Sequence, residues 1–128
     1  MEKKRIKLNI DKKKIFQLYV GVMNPFLKLS NRESEVLSQL LYLNDHYKEY
    51  SEGVKWKMVF DKDNRRKTYE DMEISVHQYN NILSSLRKKN ILLPGNILTK
   101  KLLIYPDNGL NMNFEMNVIN ERVPEAHT

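Results

Sequence analysis

The sequence predicts an α+β fold, mainly helical, with a small antiparallel sheet. Three observations predict it. Apolar residues recur at helical spacing over 12–23, 31–49 and 76–89. Apolar and polar residues alternate over 5–10 and again over 110–118. Between two β-rich runs, "ILL" and "ILTKKLLIY", stands the turn sequence Pro94-Gly95-Asn96, which reads as a hairpin.

In chain order, "RIKLNI" at 5–10 places Ile6, Leu8 and Ile10 on one side of a half-buried strand. That strand is expected to extend the sheet, because alone it buries nothing. Asp11 offers an N-cap for a helix over 12–23. Ile15, Tyr19 and Val22 form its inner stripe, with Phe16, Val20 and Met23 beside it. Asn24-Pro25 is expected to end the helix, since the residue before proline avoids helical geometry. Ser30 followed by Glu33 has the spacing of a capping box and opens a helix over 31–49, with Val36, Leu37, Leu40, Leu41 and Tyr47 at its core-facing positions.

Ser51-Glu52-Gly53 breaks that helix. "VKWKMVF" at 54–60 reads as either a short helix or a strand anchored by Trp56 and Phe60, and "DKDN" at 61–64 reads as a loop. A short polar helix is expected over 65–72, and Ser75 caps the next one over 76–89. Pro106 to Gly109 is a second turn. The strand after it carries Leu110, Met112, Phe114, Met116 and Val118 on one face. Residues 1–120 are read as a single domain with an N-terminal extension, and 121–128 as a flexible tail.

A chain of 128 residues supports one core. It contains no cysteine, which removes disulfides and thiol chemistry and is compatible with a reducing cytoplasm. No apolar run approaches the roughly 18 residues of a membrane span, and no apolar segment follows the basic start, so no signal peptide is read. Net charge is +6, which favours polyanionic partners. Basic residues cluster in the first 14 positions, at 64–67 and at 87–89. Only four glycines are present, and no phosphate-cradling loop is found.

The helix over 76–89 has an unusual polar side. At about 100° per residue, Val76, Tyr79, Leu83 and Leu86 fall together, with Ile82 adjacent. His77, Asn81, Ser84 and Lys88 form the opposite stripe, flanked by Gln78 and Ser85. No carboxylate occurs from Val76 to Lys89. Amides, hydroxyls and ammonium groups suit base edges and phosphate oxygens. These six polar residues are the base-contact candidates. Arg65, Arg66, Lys67, Ser75, Arg87, Lys89, Lys100 and Lys101 are the phosphate-contact candidates.

A short helix, a tight turn, a capped second helix and two β-runs joined by a turn resemble the winged helix-turn-helix family of DNA-binding domains. The resemblance is carried by "RRKTYEDMEISVHQYNNILSSLRKKNIL" and by "LSNRESEVLSQLLYL", which matches the family's first helix. It covers roughly residues 29–105. Met72, Glu73, Ile74 and Ser75 stand at the turn, and Leu83 to Ile91 lead into the wing. Tyr69 stands where the family usually keeps a small residue, and Glu73 where glycine is common. The flanks are similar to small regulators of phages and mobile elements. The resemblance implies double-stranded DNA as partner, with 76–89 as recognition helix and Lys100 and Lys101 on the wing.

Other chemistry is weakly represented. His46, His77 and His127 are far apart and have no metal-ligand spacing. "EDME" at 70–73 reads as a polar turn, and "DKDN" lacks the glycine and terminal glutamate of a calcium loop. No nucleophile motif appears, so no enzyme activity and no cofactor are expected. Two functional classes follow. One is a sequence-specific DNA-binding regulator of transcription or replication, expected in the cytoplasm (that of the host cell, or the virion if phage-encoded). The other is a winged-helix interaction or structural component of a viral or nucleoprotein assembly, because fold does not dictate function. Self-association into a dimer is compatible with either.

Overall fold

The structure is a computed structural model and describes residues 11–106. The strands expected at 5–10 and 110–118, the tail at 121–128 and His127 lie outside the described residues. Within them the chain is mainly helical, with five helices and one two-stranded antiparallel hairpin.

The first helix, α1, spans Lys12–Leu27. Asp11 caps it, accepting a hydrogen bond from the Lys13 N–H. It runs two residues past the expected stop at Pro25. Proline removes one N–H and crowds the carbonyl four residues back, here that of Gly21. Gly21 is exposed, so that side of the helix can relax toward solvent. The helix ends at Lys28 instead, whose left-handed backbone donates its N–H to the Asn24 carbonyl. The Asn24 side chain also accepts from the Leu29 N–H at 2.8 Å, closing the turn. Ile15, Phe16, Tyr19 and Val20 are buried as the helical spacing predicts, but Val22, expected on the inner stripe, is exposed.

The second helix, α2, spans Asn31–His46, with the expected Ser30–Glu33 capping box. It stops short of 49, because Tyr47 leaves helical geometry and residues 47–50 turn. The Tyr47 hydroxyl accepts from Asn64 Nδ2 at 3.1 Å, and its ring meets His46 and Tyr50 edge-on. Tyr42 packs edge-on against Phe16, while Tyr50 is half exposed. α1 packs chiefly on α2, and Lys12 adds an ion pair at 2.8 Å to the buried Asp45.

The ambiguous segment at 54–60 is helical: α3 spans Glu52–Val59. The Glu52 carboxylate accepts from Lys55 Nζ and Trp56 Nε1, each at 2.9 Å. These partners at i+3 and i+4 meet one side chain on a helix and not on a strand. The fourth helix, α4, spans Lys62–Asp71. It begins inside the segment read as a loop, because Asp61 Oδ1 accepts from the Asn64 N–H and caps it. The fifth, α5, spans Val76–Lys88 and opens with a capping box made by Ser75 and Gln78.

Both α4 and α5 end in the same way. Beyond α4, the Ile74 N–H donates to the Tyr69 carbonyl and the Glu73 N–H to that of Glu70, while Glu73 has φ +58°. Beyond α5, the N–H groups of Ile91 and Asn90 donate to the carbonyls of Leu86 and Arg87, and Asn90 has φ +63°. Both are Schellman caps, which need a left-handed residue just past the helix. Glycine at the first turn would meet the same requirement, so Glu73 holds a glycine-like backbone at a steric cost.

After α5 the chain pairs with itself over Leu92–Leu93, β1, and Ile97–Leu98, β2. Leu92 stands opposite Leu98, and Leu93 opposite Ile97. Pro94-Gly95-Asn96 turns between them as expected. The second run does not continue as a strand. It becomes a 3-10 turn over Lys100–Leu102, which rotates Leu102 into the core while Lys100 and Lys101 stay in solvent.

One apolar core joins α1, α2, α3, α5 and the hairpin, with Phe16, Leu37, Leu41, Tyr79, Leu86 and Leu98 among its fully buried members. Tyr79, Leu83 and Leu86 supply the inner face of α5. Val76, grouped with them on sequence spacing, is 52% exposed because its turn projects beyond the core. Leu83→Ala is therefore expected to cost about 2–5 kcal/mol in denaturant unfolding. Val76→Ala should stay within about 0.5 kcal/mol. Equal losses would place Val76 in the core after all.

Candidate nucleic-acid interface

The outer face of α5 is set by what its inner face buries. With Tyr79, Leu83 and Leu86 turned inward, His77, Asn80, Asn81, Ser84, Arg87 and Lys88 are exposed. The expected stripe of His77, Asn81, Ser84 and Lys88 is thus present on one surface. Among the described residues, the side chains of these four make no hydrogen bond or ion pair, and all four are exposed. Asn80 joins this surface although its position on the helical wheel is lateral. The acid-free composition of the whole segment was the signal for it.

Gln78 and Ser75 are committed locally. The Gln78 amide oxygen accepts from the Ser75 N–H at 2.9 Å, and Ser75 Oγ accepts from the Gln78 N–H at 3.0 Å. The two residues build the start of the helix.

Ser85 and Lys89 face Glu33. Ser85 Oγ donates to Glu33 Oε2. Lys89 Nζ donates to Glu33 Oε1 at 2.8 Å and to the Lys28 carbonyl at 2.9 Å. The Ser30 N–H donates to the same carboxylate at 2.9 Å. The structure therefore brings these two candidates to the α2 junction and not to the outer stripe. Ser85 lies about 100° from Ser84 around the helix, enough to turn it to the neighbouring helix. Burial pushes the Glu33 carboxyl up, but the hydrogen bonds from Lys89, Ser85 and Ser30 outweigh it and hold the group down at about 2.

The remaining basic candidates form two groups. Arg65, Arg66 and Lys67 are exposed on α4, with Arg66 paired to Asp63 at 3.1 Å. Arg65 lies near enough to Tyr79 to oppose, in part, the burial that drives its hydroxyl up to about 12. Lys100 and Lys101 are not on the hairpin, as the resemblance implied, but on the 3-10 turn after it. Lys100 contributes to holding Glu52 below the usual carboxylate range, after the hydrogen bonds from Lys55 and Trp56. The hairpin tip carries no cation of its own. Arg87 reaches it, donating to Asn96 Oδ1 at 2.9 Å.

Glu70, Asp71 and Glu73 are exposed at the end of α4 and the turn. Arg32 from α2 crosses to this turn and donates to the Met72 carbonyl at 3.1 Å, a contact with no sequence signal. Among the described residues no group of three or more His, Asp or Glu side chains is placed to hold a metal ion. No described helix is long and apolar enough to cross a membrane. Comparison with known protein families, characterised proteins and solved structures gives no match for this chain.

The Glu33 junction has a pH signature. Its folded pKa is depressed, so its stabilisation is full above the ordinary carboxylate range, near 4.5, and is lost as pH falls toward about 2. Glu33→Gln should cost about 1–3 kcal/mol at pH 7. The variant should also show a flatter fall in stability across that acid window, measured by denaturant unfolding at a series of pH values. Identical pH slopes for both chains would show that Glu33 is not ionised against Lys89.

Proposed function

We propose that this chain is a winged helix-turn-helix protein that binds double-stranded DNA in a sequence-specific way, with α5 as the recognition helix. The observation that carries the reading is the outer face of α5: exposed, free of carboxylates, and presenting His77, Asn81, Ser84 and Lys88. Asn81 suits bidentate pairing with adenine N6 and N7, and Lys88 suits guanine or phosphate. The tight turn between α4 and α5 supports it, with Glu73 in a left-handed backbone that closes α4 just before the Ser75 cap. Arg65, Arg66 and Lys67 on α4 would hold the backbone on one flank, and the exposed Arg87 and Lys88 on the other. The proposed setting is transcription or replication control in a reducing cytoplasm, with no catalysis and no cofactor.

Lys89 and Ser85 take a different part in this proposal from the one their sequence positions suggested. Bound to Glu33, they orient α5 and do not reach for the duplex. A second reading, a protein-docking module in a larger assembly, is favoured by one observation. The hairpin is two residues long on each side, and its tip of Pro94, Gly95 and Asn96 is uncharged, which makes a poor phosphate-binding wing.

Binding to duplex DNA against salt separates the two. With five phosphate contacts, affinity should fall roughly 500-fold between about 50 and 200 mM salt. Lys88→Ala should lower it on every duplex and flatten the salt slope. Asn81→Ala should cost about 1–3 kcal/mol on a selected site alone, with unfolding unchanged. Absence of binding to any duplex at low salt would transfer the assignment to the docking module.

A further inference from the structure

Lys28 stands where helix ends usually place glycine or asparagine. Its backbone is left-handed, with φ +55°, and it closes α1 by donating its N–H to the Asn24 carbonyl at 2.7 Å. A side chain with a Cβ meets a steric cost in that conformation. Past α5 and in the hairpin turn the chain uses Asn90 and Asn96 for the same backbone, and asparagine tolerates it. Lys28 is exposed, and among the described residues its side chain makes no hydrogen bond or ion pair. Inside the described chain the lysine gains only the attraction of a cation to the C-terminal end of α1.

The fold carries this lysine to the end of α5. The Lys28 carbonyl accepts from Lys89 Nζ at 2.9 Å, so the α1–α2 junction lies one lysine side chain from α5, although 61 positions separate the two residues. Asn24 holds the same junction, its side chain bonding the N–H and the carbonyl of Leu29 at 2.8 and 3.3 Å. The carboxylate at this junction, that of Glu33, is taken up by Lys89, Ser85 and the Ser30 N–H. Lys28, Arg87 and Lys88 are exposed at this end of the helix. At the other end, Arg65 of α4 lies near Tyr79 in the first turn. Cations from α4 and from the α1–α2 junction therefore bracket α5, while the tip of the hairpin offers none.

We infer that Lys28 is a phosphate-contacting residue, presented to the duplex by the α1–α2 junction in place of a charged hairpin tip. This inference rests on the DNA reading of α5. An ammonium acts on phosphate as a point charge and needs no fixed bond geometry, so an exposed lysine on a braced turn suffices. Each phosphate that it neutralises releases counterions, which gives the contact a salt signature.

Binding of the full chain to random-sequence duplex DNA against salt tests it. Lys28 adds a sixth contact to the five on α4 and α5. Lys28→Ala should therefore lower affinity on every duplex and make the fall between about 50 and 200 mM salt roughly 3.5-fold smaller. Lys28→Arg should keep the wild-type slope. Lys28→Gly should bind as weakly as Lys28→Ala, yet unfold at a denaturant concentration no lower than wild type, because glycine adopts the left-handed backbone freely. Lys14→Ala removes the same charge at the far end of α1 and should leave the slope unchanged. An unchanged slope for Lys28→Ala, in a chain whose slope flattens with Lys88→Ala, would overturn this inference and leave the DNA reading standing. Equal flattening by Lys14→Ala and Lys28→Ala would also overturn it, by showing an effect of net charge alone. So would a Lys28→Gly chain that loses stability together with binding, since Lys28 would then serve only to end α1. A wild-type chain that binds no duplex at low salt would overturn this inference together with the reading beneath it.

Discussion

The Glu33 carboxylate ties the N-terminus of α2 to the end of α5. Its first task is local, to complete the capping box with Ser30. Its second is long-range, because Ser85 and Lys89 lie more than fifty positions away. A carboxylate that is 9% exposed keeps its charge only if donors replace the lost water, and here they do. Lys89 carries the clamp further, to the Lys28 carbonyl. That carbonyl belongs to the left-handed residue that ends α1. The direction in which α5 presents its outer face is thus tied to the junction of α1 with α2.

Apolar packing alone sets that direction less sharply. Tyr79, Leu83 and Leu86 define which side of α5 is inward, but a stripe of three residues tolerates some rotation about the helix axis. The polar clamp at Ser85 and Lys89 and the tether from Arg87 to Asn96 resist rotation from two sides. The left-handed caps at Glu73 and Asn90 hold the segments before and after the helix. Glu73 is the less comfortable of the two, since a glutamate has no side-chain means of relieving that backbone. Its turn is braced from outside, by Arg32 at the Met72 carbonyl and by Tyr69 packed against Tyr79 at 5.7 Å. Tyr69 is partly buried and packs against the core there.

Charge is arranged with a similar economy. Among the described residues, several acids pair with basic groups: Glu33 with Lys89, Glu52 with the buried Lys55, Asp45 with Lys12, Asp63 with Arg66. The pairs at Glu33 and Asp45 join neighbouring helices, while the pair at Glu52 lies within α3. Salt will screen the exposed Arg66–Asp63 pair on α4 readily and the shielded pairs little.

The sequence by itself determined three of the described helices, over α1, α2 and α5, and the residues that start them. Asp11, Ser30 and Ser75 are caps because a short side-chain oxygen two or three positions before an N–H bonds it locally. The hairpin turn and the acid-free face of α5 were legible for the same reason, since each depends on residues close in sequence. Where local signals competed, they misled. Pro25 did not stop α1, Asp61 capped a helix inside an apparent loop, and the run after Ile97 turned into the core instead of pairing on. Only the tertiary structure decided that Val22 and Val76 face outward, that Ser85 and Lys89 serve Glu33, and that Arg32 holds the turn before α5. Each of those depends on a neighbouring helix whose distance and rotation are set by the packed core as a whole. Periodicity along one helix says which residues share a side, and only its neighbours say what that side meets.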